Sequence, residues 1–404
     1  MIKINNIDIE NYRSCINTKF KIKENLTAII GANGAGKSNI LNSILLLSGR
    51  IRGSRIYRNR KMDDAIAHST IVYEMSLDDV KYKLKAEIYF ETDERNSDEV
   101  YFHKIQFKED KKGIRFKHID NGIIEYATEL FSFRYKESNE FFGNLPKEFQ
   151  SKFYSDFFKC FLFIKKASYY SATQFSDPSN CPVSIELEGN KRTSRFRISR
   201  YHDKFIYDLF QTYDQDPNSF NQYLNTINDN GIGLVSNIEF YKYDLPNTTF
   251  EVKTGGKIKQ IDKEKQIIVP SFKIDKTTLT PNQLSEGTFK TIALIYYILN
   301  DTSKLLLIEE PEVCVHHGLL NSILELIKIK SAEKQIIIST HSDFVLDKLL
   351  PENVVLIKKD NEIGTVSLGL NQYLSKDDYN GLRSYLNDVG NLGEFWKEGG
   401  LDND

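Results

Sequence analysis

The first residues that could do chemistry form a glycine-rich loop. Residues 31–38 read GANGAGKS and match in full the phosphate-binding pattern G-x-x-x-x-G-K-S/T. Gly31, Gly34 and Gly36 would let consecutive backbone amides face the phosphates of a nucleotide, and Asn33 and Ala35 complete the loop. The segment therefore predicts a site for a nucleoside triphosphate.

The end of this loop carries the charged and hydroxyl groups that such a site needs. Lys37 is expected to place its positive charge on the β and γ phosphates of ATP, and Ser38 is expected to ligate magnesium. Asn39 follows directly and is expected to bind the nucleotide as well. The predicted cofactors are ATP and Mg²⁺.

A pair of acids ends a strongly apolar stretch, LLLIEEPE at residues 305–312. A buried strand that ends in two carboxylates is where a hydrolytic site places one acid for the metal and one for the attacking water. By position, Glu309 takes the metal role and Glu310 polarises the water. A purely structural acid pair is the alternative interpretation.

Two further segments carry weaker signals when each is considered alone. Residues 284–287 read LSEG and begin a helical stretch, where a serine usually acts as a simple N-cap. Residues 336–344 read IIISTHSDF, an apolar strand followed by His341, and a single histidine at a strand end is usually structural.

Taken together, the order of P-loop, LSEG, acid pair and histidine resembles that of ABC-class ATPases, and LSxG is the signature form of their SMC, RecF and OLD-like group. The resemblance implies that Ser285 and Gly287 contact the γ phosphate of ATP bound to a second copy of the chain. It also implies that His341 senses the γ phosphate, and that Glu309 stands where most of these proteins carry Asp. The implied partner is another copy, in at least a head-to-tail dimer.

Two more site residues are suggested by their positions. Gln174, in YYSATQF, is either the lid glutamine that reaches magnesium and the attacking water, or an ordinary loop glutamine. Arg13, in NYRS, resembles the arginine that lies by the nucleotide near the start of SMC and RecF-like chains, although a surface arginine is the alternative.

A basic run, GRIRGSRIYRNRK at residues 49–61, follows the helix after the P-loop. Such a run can contact the phosphates of DNA or RNA, but charge runs are more often solvated faces, and both interpretations stay open. Its charged residues are Arg50, Arg52, Arg55, Arg58, Arg60 and Lys61.

These groups must be positioned by alternating strands and helices. An apolar strand runs into the P-loop, apolar residues recur at helical spacing after it, and residues 66–118 alternate with period two. We therefore expect an α/β fold with a mixed sheet core, an antiparallel β subdomain and an inserted helical subdomain, and the resemblance described above implies a P-loop NTPase of ABC type. We expect three parts. Residues 1–125 form an N-terminal lobe with the P-loop and the β subdomain, residues 126–230 form a mainly helical insertion, and residues 231–404 form a C-terminal lobe with the other motifs.

Composition narrows the class of protein. The 404 residues are 40% hydrophobic, enough for a sizeable core, and the net charge of -2 exerts no global attraction on nucleic acid. The four cysteines are widely spaced, which argues against zinc and against a disulfide framework, so no metal other than magnesium is expected. The start lacks a signal-peptide pattern and no apolar run approaches membrane-spanning length, so a cytoplasmic protein without a membrane is expected.

Within the class, the compact insertion and the EPE sequence resemble the OLD-like ATPases. OLD nucleases continue into a Toprim domain, for which too few residues follow His341, so we expect a separate nuclease or effector subunit. The chain is most similar to the stand-alone OLD-like ATPases of antiphage systems such as Septu and PARIS, which implies an ATP-hydrolysing switch. The alternatives are a RecF- or SMC-like DNA repair ATPase and a non-hydrolysing scaffold; a transporter domain is disfavoured, because its signature lies much closer to the P-loop.

Overall fold

A computed structural model provides the coordinates. It describes residues 2–48, 68–92, 98–120, 123–124, 151–188, 191–192, 201–253, 257–313, 315–388 and 390–398.

The described strands are numbered along the chain. They are β1 Ile2–Tyr12, β2 Cys15–Lys21, β3 Leu26–Ile30, β4 His68–Leu77, β5 Val80–Thr92, β6 Asp98–Glu109, β7 Lys117–Ile119, β8 Ser168–Ser171, β9 Ile185–Glu188, β10 Lys191–Arg192, β11 Asn237–Lys253, β12 Lys257–Ile274, β13 Thr277–Leu279, β14 Leu305–Glu309, β15 Gln335–Ser339, β16 Val354–Asp360 and β17 Gly364–Gly369.

The helices are numbered in the same way. They are α1 Lys37–Leu45, α2 Lys152–Lys165, α3 Tyr201–Gln215, α4 Pro217–Ile227, α5 Glu286–Asn300, α6 His317–Ser331, α7 Asp343–Leu346, α8 Leu370–Tyr373, α9 Lys376–Asp388 and α10 Leu392–Lys397. Within the described part of the chain, no helix has the length and apolar character needed to cross a membrane.

Contacts group the chain into two compact units. The first contains residues 1–169, 303–310 and 327–404, and the second contains residues 170–302 and 311–326. The chain therefore leaves the first unit inside β8 and returns to it twice. The division into parts at residues 125 and 230 follows the sequence alone and stays a prediction.

The first unit is built on a mixed sheet, as predicted. Among the described residues its strand order is β7-β6-β5-β4-β1-β2-β17-β16-β3-β15-β14-β8. The central strands β16, β3, β15 and β14 are mutually parallel, and the rest of the sheet from β16 to β7 is antiparallel. All residues of β3 and β15 are buried, as expected for parallel strands covered on both faces.

The period-two stretch forms the predicted antiparallel β part. β4 and β5 make a hairpin in which Leu77 pairs with Val80, and the two residues between them, Asp78 and Asp79, have φ of 46° and 67°. Positive φ at both central residues is the geometry that suits the twist of a two-residue hairpin. Alternating apolar residues of these strands enter the core that α1 and α2 cover.

The second unit combines a smaller sheet with helices. Its strand order is β10-β9-β12-β11, with β13 on β12, and β11 and β12 form a long hairpin. Helices α3, α4 and α5 pack through aromatic side chains: the rings of Phe205 and Phe289 meet edge to face at 5.5 Å, and the Tyr223 hydroxyl donates to the Ile292 carbonyl at 3.0 Å. Strands β9 and β10 also lie in this second unit, whereas α2 lies in the first unit.

Candidate nucleotide and metal site

The glycine loop connects the buried strand β3 to helix α1, which begins at Lys37. Two of its glycines are required by close packing as well as by backbone angle. A Cβ on Gly31, whose φ is 153°, would lie 2.2 Å from the Ile357 carbonyl oxygen. A Cβ on Gly36, whose φ is 111°, would lie 2.2 Å from Oγ1 of Thr365. A side chain at either position would therefore displace the residue that contacts it, Ile357 or Thr365.

The Lys37 side chain is buried and folds back over the loop. Its Nζ donates to the Gly31 carbonyl at 2.7 Å and to the Ala32 carbonyl at 3.2 Å. Asn33 and Gly34 are exposed, whereas Ala35 is buried. The ammonium group is thus held at the loop whose amides are predicted to face phosphate.

Glu309 and Ser38 meet directly. Ser38 Oγ donates to Oε1 of Glu309, and the hydroxyl of Tyr169 donates to Oε2 of the same carboxylate. Glu309 ends β14, and the sheet order places β8, which carries Tyr169, beside it. One carboxylate therefore joins the P-loop helix to an outer strand.

This donor set fits magnesium. A hydroxyl and a carboxylate are hard oxygen ligands, and Mg²⁺ is usually held by one or two protein groups together with phosphate oxygens and water. No group of three or more His, Cys, Asp or Glu side chains in the described ranges could hold a metal by itself. Ser38 and Glu309 are thus the residues that would hold the ion alongside a bound nucleotide.

Glu310 and His341 form the other half of this edge. They follow the neighbouring parallel strands β14 and β15, with Thr340 between β15 and the histidine, and Nδ1 of His341 lies 3.5 Å from Oε1 of Glu310. The His341 side chain is 47% exposed and the Glu310 side chain is 29% exposed, so both can contact water. Glu310 has a φ of 50°, and its N–H donates to the Ser339 carbonyl at 2.9 Å.

Arg13 is tied to the helix that follows the P-loop. Its Nη1 donates to Oδ1 of Asn39 at 3.0 Å, and Nδ2 of Asn39 donates to Ser14 Oγ at 2.7 Å. Arg13 Nε is buried without a hydrogen-bond partner. The structure thus brings Arg13 and Asn39 together in the first unit with Lys37, Ser38 and the acid pair.

Sequence reasoning missed Ser14 and Thr365, which support the loop from below. Thr365 is fully buried, its Oγ1 lies 2.7 Å from Ser14 Oγ and donates to the Ala35 carbonyl at 3.1 Å, and its N–H donates to the Ser14 carbonyl at 2.7 Å. No motif marks Thr365, because its role depends on β17 lying beside β2. Tyr169 was missed for the same kind of reason.

The LSEG segment lies in the second unit. Ser285 is the exposed N-cap of α5, and its Oγ accepts a hydrogen bond from the Thr288 N–H at 3.2 Å. Gly287 lies in the first turn of the same helix. The Lys290 ammonium contacts Glu286 at 2.6 Å and holds the pKa of that carboxyl below its usual range. The serine therefore has the N-cap role, on a residue that is exposed.

Gln174 also lies in the second unit, in the short turn Ala172–Phe175. Its Oε1 is buried without a hydrogen-bond partner. Beside it, Phe175 contacts His202, whose ring stacks on Phe289 at 5.3 Å, and burial lowers the pKa of His202. The lid role of Gln174 stays a prediction. The basic run from Arg50 to Lys61 lies outside the described residues.

A comparison with protein families finds one whose model matches residues 26–347 of this chain. Its description reads "AAA domain, putative AbiEii toxin, Type IV TA system". The match begins at β3 and extends through the P-loop, the LSEG segment, the acid pair and His341.

Among curated proteins, similarity is confined to a short segment. The chain is 46% identical over 50 residues to the chromosome partition protein Smc of Methanococcus voltae, covering 12% of this chain and 4% of that protein. It is 35% identical over 60 residues to Smc of Methanocaldococcus jannaschii, covering 15% and 5%. The aligned segments are thus a small fraction of the length of these relatives.

Among solved structures, similar chains include SMC head domains. The head from Thermotoga maritima has a TM-score of 0.43 and 12% identity, covering 91% of this chain and 99% of that one. The head with an extended coiled coil, bound to a ScpA domain and derived from Pyrococcus furiosus, has a TM-score of 0.46 and 10% identity, covering 96% and 100%.

Proposed function

This chain belongs to the family described as "AAA domain, putative AbiEii toxin, Type IV TA system", and on that premise we propose that it binds ATP with Mg²⁺ and hydrolyses the ATP as a molecular switch. One observation carries the proposal: the P-loop serine, two carboxylates and a histidine meet at the ends of adjacent parallel strands. Ser38 bonds to Glu309, and His341 lies 3.5 Å from Glu310. A purely structural acid pair would not need the P-loop serine as its partner.

Each residue then has a part in hydrolysis. Lys37 offsets the charge of the β and γ phosphates, and Glu310 accepts a hydrogen bond from the attacking water and orients it. His341, beside Glu310, contacts the γ phosphate and keeps that carboxylate in place. Magnesium, when bound, supplies positive charge to the phosphate oxygens, while Ser38 and Glu309 hold it.

A complete site needs a second copy of the chain. We propose that Ser285 and Gly287 contact the γ phosphate held by the P-loop of another protomer, in a head-to-tail dimer. The N-terminus of α5 with its exposed N-cap Ser285 supports this, because backbone N–H groups and a serine hydroxyl at a helix start can donate hydrogen bonds to an anion from outside the unit. ATP would then stabilise the dimer, and loss of the γ phosphate would release it.

We further propose that this cycle controls a separate nuclease or toxic effector in an antiphage complex of OLD-like type. The proposal rests on the sequence resemblance, and a family description that names a toxin–antitoxin system is compatible with it. The alternative is a RecF- or SMC-like ATPase that closes on DNA, which the identity to Smc over 50 residues favours. The two are separated by measuring DNA affinity as a function of salt concentration, for the wild type and for a variant in which the arginines of residues 50–61 are substituted.

The test measures molecular mass in solution and phosphate release for the wild type and Glu310→Gln, with and without ATP and magnesium. We expect the substitution to lower phosphate release at least about 100-fold, because the amide oxygen of glutamine is a far weaker base and hydrogen-bond acceptor for the attacking water than a carboxylate. ATP-dependent dimer formation should persist. Glu333→Gln is the matched control, since Glu333 pairs with Lys330 and lies outside the site.

Two results would contradict the proposal. A mass that does not depend on nucleotide would contradict the switch, and an unchanged mass above that of the monomer would show a constitutive oligomer. Phosphate release by the wild type no greater than that of Glu310→Gln, with ATP-dependent assembly intact, would identify a non-hydrolysing scaffold.

A further inference from the structure

We infer that Tyr169 is a positioning residue for the metal site, acting through Glu309; this rests on the proposed ATP and magnesium binding. Tyr169 donates its hydroxyl to Oε2 of Glu309, while Ser38 donates to Oε1. Both carboxylate oxygens are therefore held by hydroxyl groups from different elements. Nothing in the motifs assigns Tyr169 a role.

The need for such a residue follows from the acid itself. Glu309 has one methylene more than an aspartate at the same position would have, so its carboxylate has an additional rotatable bond. A side chain with more rotamers loses more entropy when it is fixed in one of them. A second hydrogen bond, on the oxygen that Ser38 does not use, restricts the carboxylate to one orientation.

Tyr169 is suited to that task because its own position is fixed. It lies on β8, next to β14 in the sheet, and its side chain is half-buried. A tyrosine side chain has only two torsions before its rigid ring, so its hydroxyl is placed by the strand. The sheet thus determines the position of Oε2.

The orientation of Glu309 in turn determines what Ser38 can offer. A serine hydroxyl has one hydrogen to donate and two lone pairs to share. With the hydrogen directed to Oε1 of Glu309, the lone pairs stay available for a cation beside the nucleotide. Tyr169 would therefore not contact the ion itself but would orient Glu309, as residues that hydrogen-bond to metal ligands commonly do.

The test compares the affinity for the non-hydrolysable analogue AMP-PNP with Mn²⁺ and with EDTA, and takes the ratio as the gain due to metal. Tyr169→Phe should reduce this gain about tenfold, the usual worth of one hydrogen bond to a charged group. The affinity measured in EDTA should stay within about twofold, because the P-loop and Lys37 are unchanged. A general structural defect would weaken both affinities equally.

Tyr82→Phe is the matched control. The Tyr82 hydroxyl also donates to a carboxylate in the first unit, Oδ2 of Asp156 at 2.6 Å, but this bond joins β5 to α2 and involves no residue of the P-loop or the acid pair. The control should leave the metal gain unchanged. In a Glu309→Asp background, Tyr169→Phe should change the metal gain less than about twofold, because the shorter carboxylate no longer depends on the tyrosine.

The inference is overturned if Tyr169→Phe and Tyr82→Phe give the same metal gain, or if Tyr169→Phe has its full effect in the Glu309→Asp background. Failure of the proposed function has a different signature. In that case the wild type itself would not bind AMP-PNP with Mn²⁺ or with EDTA, and the inference would be lost together with its premise.

Discussion

Glu310 combines a predicted chemical role with an unfavourable backbone conformation. Its φ of 50° lies in the left-handed region, which a residue with a long side chain rarely adopts. Such conformations cost about 1–3 kcal/mol and are concentrated at functional sites. The strand, the Glu310 N–H bond to Ser339 and the contact with His341 together hold the residue there.

The strain predicts a stability difference between two inactive variants. Glu310→Gly should be more stable than Glu310→Gln, with a free energy of unfolding about 1 kcal/mol larger. The reason is that glycine adopts positive φ without the Cβ clash. Urea unfolding of both proteins, followed by circular dichroism, gives the comparison. Equal midpoints and slopes would show that the backbone at Glu310 is not strained.

At the level of elements, the P-loop depends on two segments far from it in sequence. The turn between β1 and β2 contributes Ser14, and the start of β17 contributes Thr365, whose hydroxyl bonds to Ser14 and to the Ala35 carbonyl. Gly36 packs against the same threonine. The two segments thus hold the loop in the conformation that its glycines allow.

Removal of the Thr365 hydroxyl should therefore weaken nucleotide binding. Thr365→Val keeps the shape but leaves the Ser14 hydroxyl and the Ala35 carbonyl without this partner, and we expect ATP affinity to fall about fivefold to tenfold. Thr365→Ser keeps the hydroxyl and should stay near wild type. Titration calorimetry decides between these outcomes, and a valine variant with normal affinity would exclude a role for this support in binding.

At the level of the whole molecule, the two predicted halves of the site belong to different units. Lys37, Ser38, Glu309, Glu310 and His341 are in the first unit, whereas Ser285 and Gly287 are in the second. If the two halves combine between copies, two inactive variants with defects in different halves should recover ATPase activity when they are mixed. If the halves combine within one chain, the mixture should stay inactive.

Mixing two inactive variants tests this. Lys37→Ala removes the P-loop charge, and Gly287→Asp places a carboxylate where it repels phosphate yet suits the first turn of a helix. An equal mixture should recover about a quarter of the wild-type ATPase rate, because half of the dimers are mixed and each contains one intact site. The control mixes Lys37→Ala with the double variant that carries both Lys37→Ala and Gly287→Asp. This mixture should stay inactive, since every P-loop in it lacks the lysine and no dimer has an intact site. An inactive first mixture would contradict action in trans.

The sequence by itself determined the features that arise from neighbouring residues. The P-loop is contiguous, so its glycines, Lys37 and Ser38 could be recognised directly, and the period-two pattern of residues 66–118 predicted the antiparallel strands that the structure has. The helix start at Ser285 was equally local. The α/β fold with a mixed sheet followed from the same alternation of patterns, and the structure has it.

Only the tertiary structure decided which distant residues complete the site. Thr365 lies 351 positions from Ser14, and Tyr169 lies 140 positions from Glu309. Their meeting depends on strand order, with β17 beside β2 and β8 beside β14. Hydrophobic periodicity specifies which face of a strand is buried but not which strand lies next to it. The order results from packing of the whole sheet, and so side-chain pairs across it cannot be predicted from local pattern.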